Sequence, residues 1–150
     1  MHLFEWKPAY RIGHAEIDAQ HQHLFRLASE LNQAMTAGTS RIVLESILAS
    51  LITYTQRHFA DEERLMLKYQ YPEYRLHKAA HDKLTAQVVA FHTDFKAGRS
   101  VMTIDLLHFL KNWLAHHIGH VDQKVALFLK EQGTASRDFP RVPATPPATP

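Results

Sequence analysis

The chain has 150 residues, 45% of them hydrophobic, and a formal net charge of +2 from 17 Lys and Arg against 15 Asp and Glu. This length suits one domain with its own core, and charges mixed along the chain argue against a nucleic-acid or polybasic membrane surface. With no cysteine, a disulfide framework, a thiolate metal site and a cysteine nucleophile are all excluded. No apolar run reaches the roughly 18 residues of a membrane span, and the start, MHLFEWKPAY, shows no secretory signal, so a cytoplasmic protein is expected. The 12 histidines are the compositional outlier.

The first stretch, to about Ala15, mixes aromatics with Pro8 and Gly13 and has no helical period. It reads as an ordered arm in which Phe4, Trp6, Tyr10 and Ile12 seek burial. Asp18 is placed to cap a first helix running to about Ala37, with Ile17, His21, Leu24, Leu27, Ala28 and Leu31 along one face. Gly38 ends it, and Thr39 or Ser40 caps a second helix from about Arg41 to Tyr69. The inner stripe of that helix reads Leu48, Leu51, Thr55, His58, Glu62, Leu65 and Tyr69, and Pro72 breaks the chain beyond it. A third helix, from Pro72 or Glu73 to Ala97, carries His77, His81, Leu84, Val88 and Phe95 and stops at Gly98. Thr103 caps a fourth from Ile104 to about Gln132, with Leu106, Leu110, Trp113, His117 and Val121 inside, and Gly133 ends it. Helices joined by such short turns stack as antiparallel neighbours. The predicted fold is therefore all-α, an up-down four-helix bundle over residues 1–133 with an N-terminal arm. Residues 134–150 repeat Pro-Ala-Thr-Pro, can build neither helix nor core, and are expected to form a disordered Pro-rich tail.

A four-residue step on an α-helix climbs about 6 Å and returns to the same face. His77 and His81 make such a pair, and so do His58 and Glu62; His21, His117 and Asp122 add ligand-type groups on the other two helices. A single histidine on an apolar face is best read as a hydrogen-bonded core residue. Five of them with two carboxylates are different, because buried polar groups are costly unless partnered, and metal ions partner them all at once. Seven ligands exceed the needs of one ion and suit two. If Glu62 and Asp122 bridge and an oxo or hydroxo group is shared, one position on two octahedral ions stays open to a small molecule. Ligand type alone does not choose among iron, zinc, copper and manganese.

The fourth helix offers a competing pair. His116 and His120 are four apart, whereas His117 and Asp122 are five apart, about 140° on an ideal helix, so spacing leaves the choice open. Gly119 lies between them and is a candidate for a π-bulge. In Asp61-Glu62-Glu63, only Glu62 is four from His58; Asp61 and Glu63 read as surface charges, with Glu63 a candidate to support a ligand. His92 reads as a partly buried structural histidine, and His2, His14, His23 and His108 as surface or satisfied polar residues.

These residues occur in the order of a known family. The chain resembles the bacterial hemerythrins through Trp6-x3-Tyr10-x2-Gly13, Ile17-Asp18-x2-His21, His58-Phe59-x2-Glu62-Glu63 with Met66, His77-x3-His81, and Trp113-Leu114-x2-His117-Ile118-x3-Asp122. The motifs span Phe4 to about Lys130; His14 departs from them, standing where the family often has an aliphatic residue. The resemblance implies a non-haem di-iron centre, two Fe ions per chain cycling between Fe2+ and Fe3+ with a bridging oxo or hydroxo group. It implies reversible dioxygen binding for storage, delivery or scavenging, and no enzymatic activity. By motif position, His77, His81 and His117 hold one iron, His21 and His58 hold the other, and Glu62 and Asp122 bridge. The open position then falls on the two-histidine iron, and Phe59, Trp113 and Leu114 match apolar pocket positions. Expected partners are dioxygen and a transient protein that receives it, with no nucleic acid and no membrane insertion, and the expected state is a monomer. Rival readings are oxygen or redox sensing, oxidase- or peroxidase-type di-iron chemistry, and a structural zinc or manganese site. Ferritin-type oxidation uses paired Glu-x-x-His motifs, and the nearest forms here, Asp18-x2-His21 and Asp105-x2-His108, carry Asp.

Overall fold

The computed structural model describes residues 4–132. The tail expected over 134–150, together with Gly133 and His2, lies outside the described residues.

A helix starts where a side chain takes over a backbone N–H that the helix leaves unpaired. Helix α1 (Ala15–Thr36) is capped by His14, whose Nδ1 accepts from the Ile17 N–H at 3.2 Å, and not by Asp18. Asp18 sits inside the first turn and folds back onto the arm, accepting from the N–H groups of Ile12 at 2.8 Å and Gly13 at 3.2 Å. Its carboxylate thus satisfies two amide donors of the incoming chain and still complements the positive end of the helix. Ser40 caps α2 (Arg41–Lys68) and Thr103 caps α4 (Ile104–His116), each accepting from the N–H three residues on. Helix α3 (Tyr74–Lys96) follows a tight turn with no side-chain cap.

Gly38 and Gly98 end α1 and α3 in the left-handed region, at φ 70 and 81. The next N–H, of Thr39 or Arg99, then reaches back to the carbonyl of Ala34 or Asp94. Gln70 plays this part after α2 at φ 55, where a side chain costs more than glycine.

The fourth rod is not one α-helix. α4 passes into a π-helical turn, His117–Val121, and resumes as α5 (Asp122–Glu131). Its buried line is Leu107, Leu110, Leu114, His117, Ile118, Asp122, Val125 and Leu129. Leu106, Trp113 and Val121, expected inside, are only partly buried. An apolar stripe is wide enough to admit both registers, and packing selects between them. The same happens at the end of α2, where Met66 is buried and Leu65 and Tyr69 are half-buried.

α1 packs on α2, α2 on α3 and the fourth rod on α1, the antiparallel up-down bundle; no strand occurs among the described residues. A large apolar cluster, including Leu24, Leu48, Phe59, Leu84, Phe95 and Leu107, fills most of the interior, and Phe4 from the arm joins it. A smaller cluster of Met66, Tyr71, Val125 and Leu129 closes the other end. Each such side chain stabilises the fold by about 1.5–3 kcal/mol on burial. That gain offsets the polar layer held between the two clusters. Arg41 ties the far end by donating to the carbonyls of Phe95 and Ser100. No helix among the described residues is long and apolar enough to cross a membrane.

Candidate metal centre

The structure brings all seven side chains selected from the sequence together. His21 comes from α1, His58 and Glu62 from α2, His77 and His81 from α3, His117 from the start of the π turn and Asp122 from just beyond it. None is more than 5% exposed. They form two overlapping sets whose donor atoms lie within 4.8 Å of one another: Glu62, His77, His81, His117 and Asp122, and His21, His58, Glu62 and Asp122. The carboxylates belong to both sets and divide their oxygens between them. Glu62 Oε1 lies 3.2 and 3.3 Å from Nε2 of His77 and His81, while Oε2 lies 3.1 and 3.0 Å from Nε2 of His21 and His58. Asp122 Oδ1 lies 3.0 and 3.2 Å from His77 and His117, and Oδ2 lies 3.2 Å from His21.

The π turn is what lets the fourth rod contribute two groups. Its wider ring, closed by the Asp122 N–H on the His117 carbonyl, swings Asp122 back to the side on which His117 projects. Gly119 does not make this turn possible through its backbone, which is not left-handed, and an added Cβ would meet only the Tyr10 ring, at 3.5 Å. His116 and His120 stay exposed, outside both sets.

Further partners orient the imidazoles. Gln20 Nε2 donates to Asp61 at 2.8 Å, so its Oε1 faces His58 Nδ1 at 2.6 Å and must accept a proton from it. His81 Nδ1 likewise donates to Glu63 at 2.8 Å. Both rings are thereby held in the tautomer that leaves Nε2 free to donate a lone pair inward. Asp61 is therefore not simply a surface charge: it is half-buried, paired with Arg64, and anchors Gln20. Gln20 escaped the sequence reading. Its only signal is its place beside His21, on the shoulder of α1. His92 pairs with Glu45 at 3.0 Å, half-buried and away from the cluster, as expected of a structural histidine.

Burial opposes charge on each of these groups. At Glu62 the nearby His58, His21 and His77 outweigh burial and hold the carboxyl well below its usual range. Burial and the charge of Glu62 push Asp122 up, but His117 and His21 bring it far below normal. Burial lowers His21 and His77, yet Asp122 and Glu62 overcome it and raise both to about 9. At His58 burial prevails over Glu62, and the imidazole is lowered. Without metal, two ionised carboxylates are thus balanced by protons on part of the histidine set.

Several features fit metal ions better than protons. Both oxygens of Asp122 are buried and lack an aligned hydrogen bond despite their close imidazole neighbours. The Nε2 atoms of His81 and His117 are 3.0 Å apart, and those of His117 and His77 are 3.1 Å apart. Adjacent ligands of an octahedral ion with bonds of about 2.1 Å are separated by about 3 Å. A proton serves one such nitrogen pair; a cation accepts all three lone pairs. The nitrogen and oxygen donors suit iron, zinc, manganese or copper.

Residues 13–128 match the family model described as the Hemerythrin HHE cation binding domain. The chain is 33% identical over 126 residues to a bacteriohemerythrin of Methylococcus capsulatus, covering 82% of this chain and 94% of that protein. A hemerythrin-like protein of Naegleria gruberi is 28% identical, with 81% of this chain and 89% of that protein covered. A crystal structure of wild-type hemerythrin superposes with a TM-score of 0.76 at 32% identity, covering 82% of this chain and 95% of that one. A hemerythrin mutant with tyrosine in place of leucine gives 0.80 at 30% identity, covering 85% and 97%.

Proposed function

This chain belongs to the hemerythrin family, and we propose that it binds dioxygen reversibly at a non-haem centre of two iron ions. His77, His81 and His117 would hold one iron, His21 and His58 would hold the other, and Glu62 and Asp122 would serve both. The reading rests on the way each carboxylate splits its two oxygens between a three-histidine and a two-histidine set. Two irons held there would supply the electrons that reversible dioxygen binding requires. The set with fewer protein donors is the one at His21 and His58, so dioxygen would bind on that side.

The chain's own part is to keep the centre dry. An apolar cavity of about 30 Å³ lies beside the cluster. Leu24, Phe59, Leu84 and Leu114 line it, each within one helical turn of a histidine of the cluster. Apolar walls keep out water and stray protons, which would drive irreversible oxidation. Among the described residues nothing in this pocket offers a general acid or base: its polar lining side chains are Thr55, whose hydroxyl already donates to the Leu51 carbonyl, and Trp113, whose indole N–H does not titrate. Binding and release, for storage, delivery or scavenging, fit such a lining better than turnover does.

The test is metal analysis and an absorption spectrum of the purified protein. About two irons per chain are expected, with a visible band that appears under oxygen and fades under argon. Azide should bind the oxidised centre at the open position. Stoichiometric zinc, or no oxygen-dependent band after anaerobic reduction, would overturn the reading.

A further inference from the structure

His116 and His120 make a pair of histidines outside the buried cluster. We propose that His116 and His120 form a second, surface site for a late first-row divalent cation such as zinc, copper or nickel. Both rings are exposed, four residues apart on one rod, with their centroids 5.3 Å apart. Within the buried sets, the rings of His21 and His58, His77 and His81, and His81 and His117 stand 4.6, 4.6 and 4.9 Å apart. The surface pair is therefore only a few tenths of an ångström wider than pairs already aimed at shared donor points. Ordinary rotamer adjustment at an exposed position closes that gap.

The surroundings leave room for an ion. The two rings border a surface hollow with Tyr10, Asn112 and Gly119. Gly119 lies between the two histidines in sequence and places no side chain in the approach. Among the described residues no carboxylate borders the hollow, so the donors there are imidazoles and water, a set that favours zinc, copper and nickel over magnesium or calcium. Two ligands on one rigid rod bind as a chelate, with little ordering left to do.

The place of the pair gives the site a consequence. His116 immediately precedes the π turn, His120 lies within it, and His117 is between them. A cation bound to both clamps the segment that presents His117 and Asp122 to the buried cluster. Nothing in this assignment depends on which metal fills that cluster.

Calorimetric titration of the iron-loaded protein with Zn2+, with iron content followed in parallel, tests the site. We expect one Zn2+ per chain with iron retained. Binding should weaken at least tenfold in His116→Asn and in His120→Asn, and stay unchanged in His108→Asn, an exposed histidine two turns earlier. Zinc should also raise the melting midpoint, and that rise should vanish in both site variants. Parent-like zinc binding in both variants, or zinc uptake matched by iron release, would overturn the proposal. A protein that cannot be loaded with iron but still binds zinc through His116 and His120 would leave this site standing and sink the di-iron reading alone.

Discussion

The two halves of the buried cluster are built differently. In the three-histidine half two rings are clamped: Phe59 stacks on His81 at 3.7 Å and 3°, and Trp113 stacks on His117 at 4.3 Å and 11°. In the two-histidine half the nearest aromatic side chains are Trp6, 6.4 Å from His21, and Phe59, 5.9 Å from His58, both tilted. The groups behind the rings differ as well. A carboxylate, Glu63, accepts from His81, whereas a neutral amide, Gln20, accepts from His58. A carboxylate makes the imidazole before it a stronger electron donor than an amide does. One half has two stacked rings, a carboxylate behind His81 and five donor residues; the other has no stacked ring, an amide behind His58 and four donor residues. Identical ligand types are thus graded by what stands behind them.

Removing what the halves share should have the largest effect. Glu62→Ala takes one oxygen from each set, and iron by metal analysis should fall below one per chain. A variant that keeps one firmly bound iron would show the halves to be independent. Next come the single ligands: His58→Ala and His81→Ala should each leave about one iron, but only the first should retain it in the complete three-histidine set. Competition with a chelator separates them, and equal retention would erase the contrast.

The supporting groups should matter less. Glu63→Gln and Gln20→Ala should each weaken iron binding by about 10–100-fold, the range found for partners of metal-bound histidines, with Asp61→Asn below either. A change in the reduction potential is expected for Glu63→Gln and little for Gln20→Ala. Equal shifts would mean that charge behind the ring is not the distinction.

Proton linkage probes one histidine in each half. In the metal-free chain His21 and His77 are raised from 6.5 to about 9. Their protonated forms stabilise the fold fully below pH 6.5, and that contribution is lost as pH rises through about 9. The depressed carboxylates act oppositely: Glu62 and Asp122 contribute above the ordinary carboxylate range and lose that contribution as pH falls through their lowered values. The melting midpoint of the metal-free protein should therefore drop between pH 7 and pH 9.5, and His21→Gln and His77→Gln should each flatten the drop. An unchanged slope in both variants would contradict the assignment. Gly119→Ala should do least, within about 0.5 kcal/mol in denaturant unfolding, because the added methyl meets only the Tyr10 ring, at 3.5 Å.

By itself the sequence determined the four rods, their short connections and the seven polar residues on their inner faces. Helical periodicity and Gly, Ser and Thr punctuation are local properties, readable without knowing what packs against them. By spacing alone it did not decide between His116 with His120 and His117 with Asp122, which the family motif favoured, because that choice depends on a π turn set by hydrogen bonding within the folded rod. Nor did it show that His14 caps α1 while Asp18 holds the arm, or that Asp61 steadies His58 through Gln20. The cap is a local competition between two neighbouring side chains, whereas the Gln20 contacts join different helices, and only the packed bundle brings those donors and acceptors within reach. The division of each carboxylate between two histidine sets belongs to the tertiary structure too. Two oxygens of one side chain can face different partners only once all four rods have closed around it.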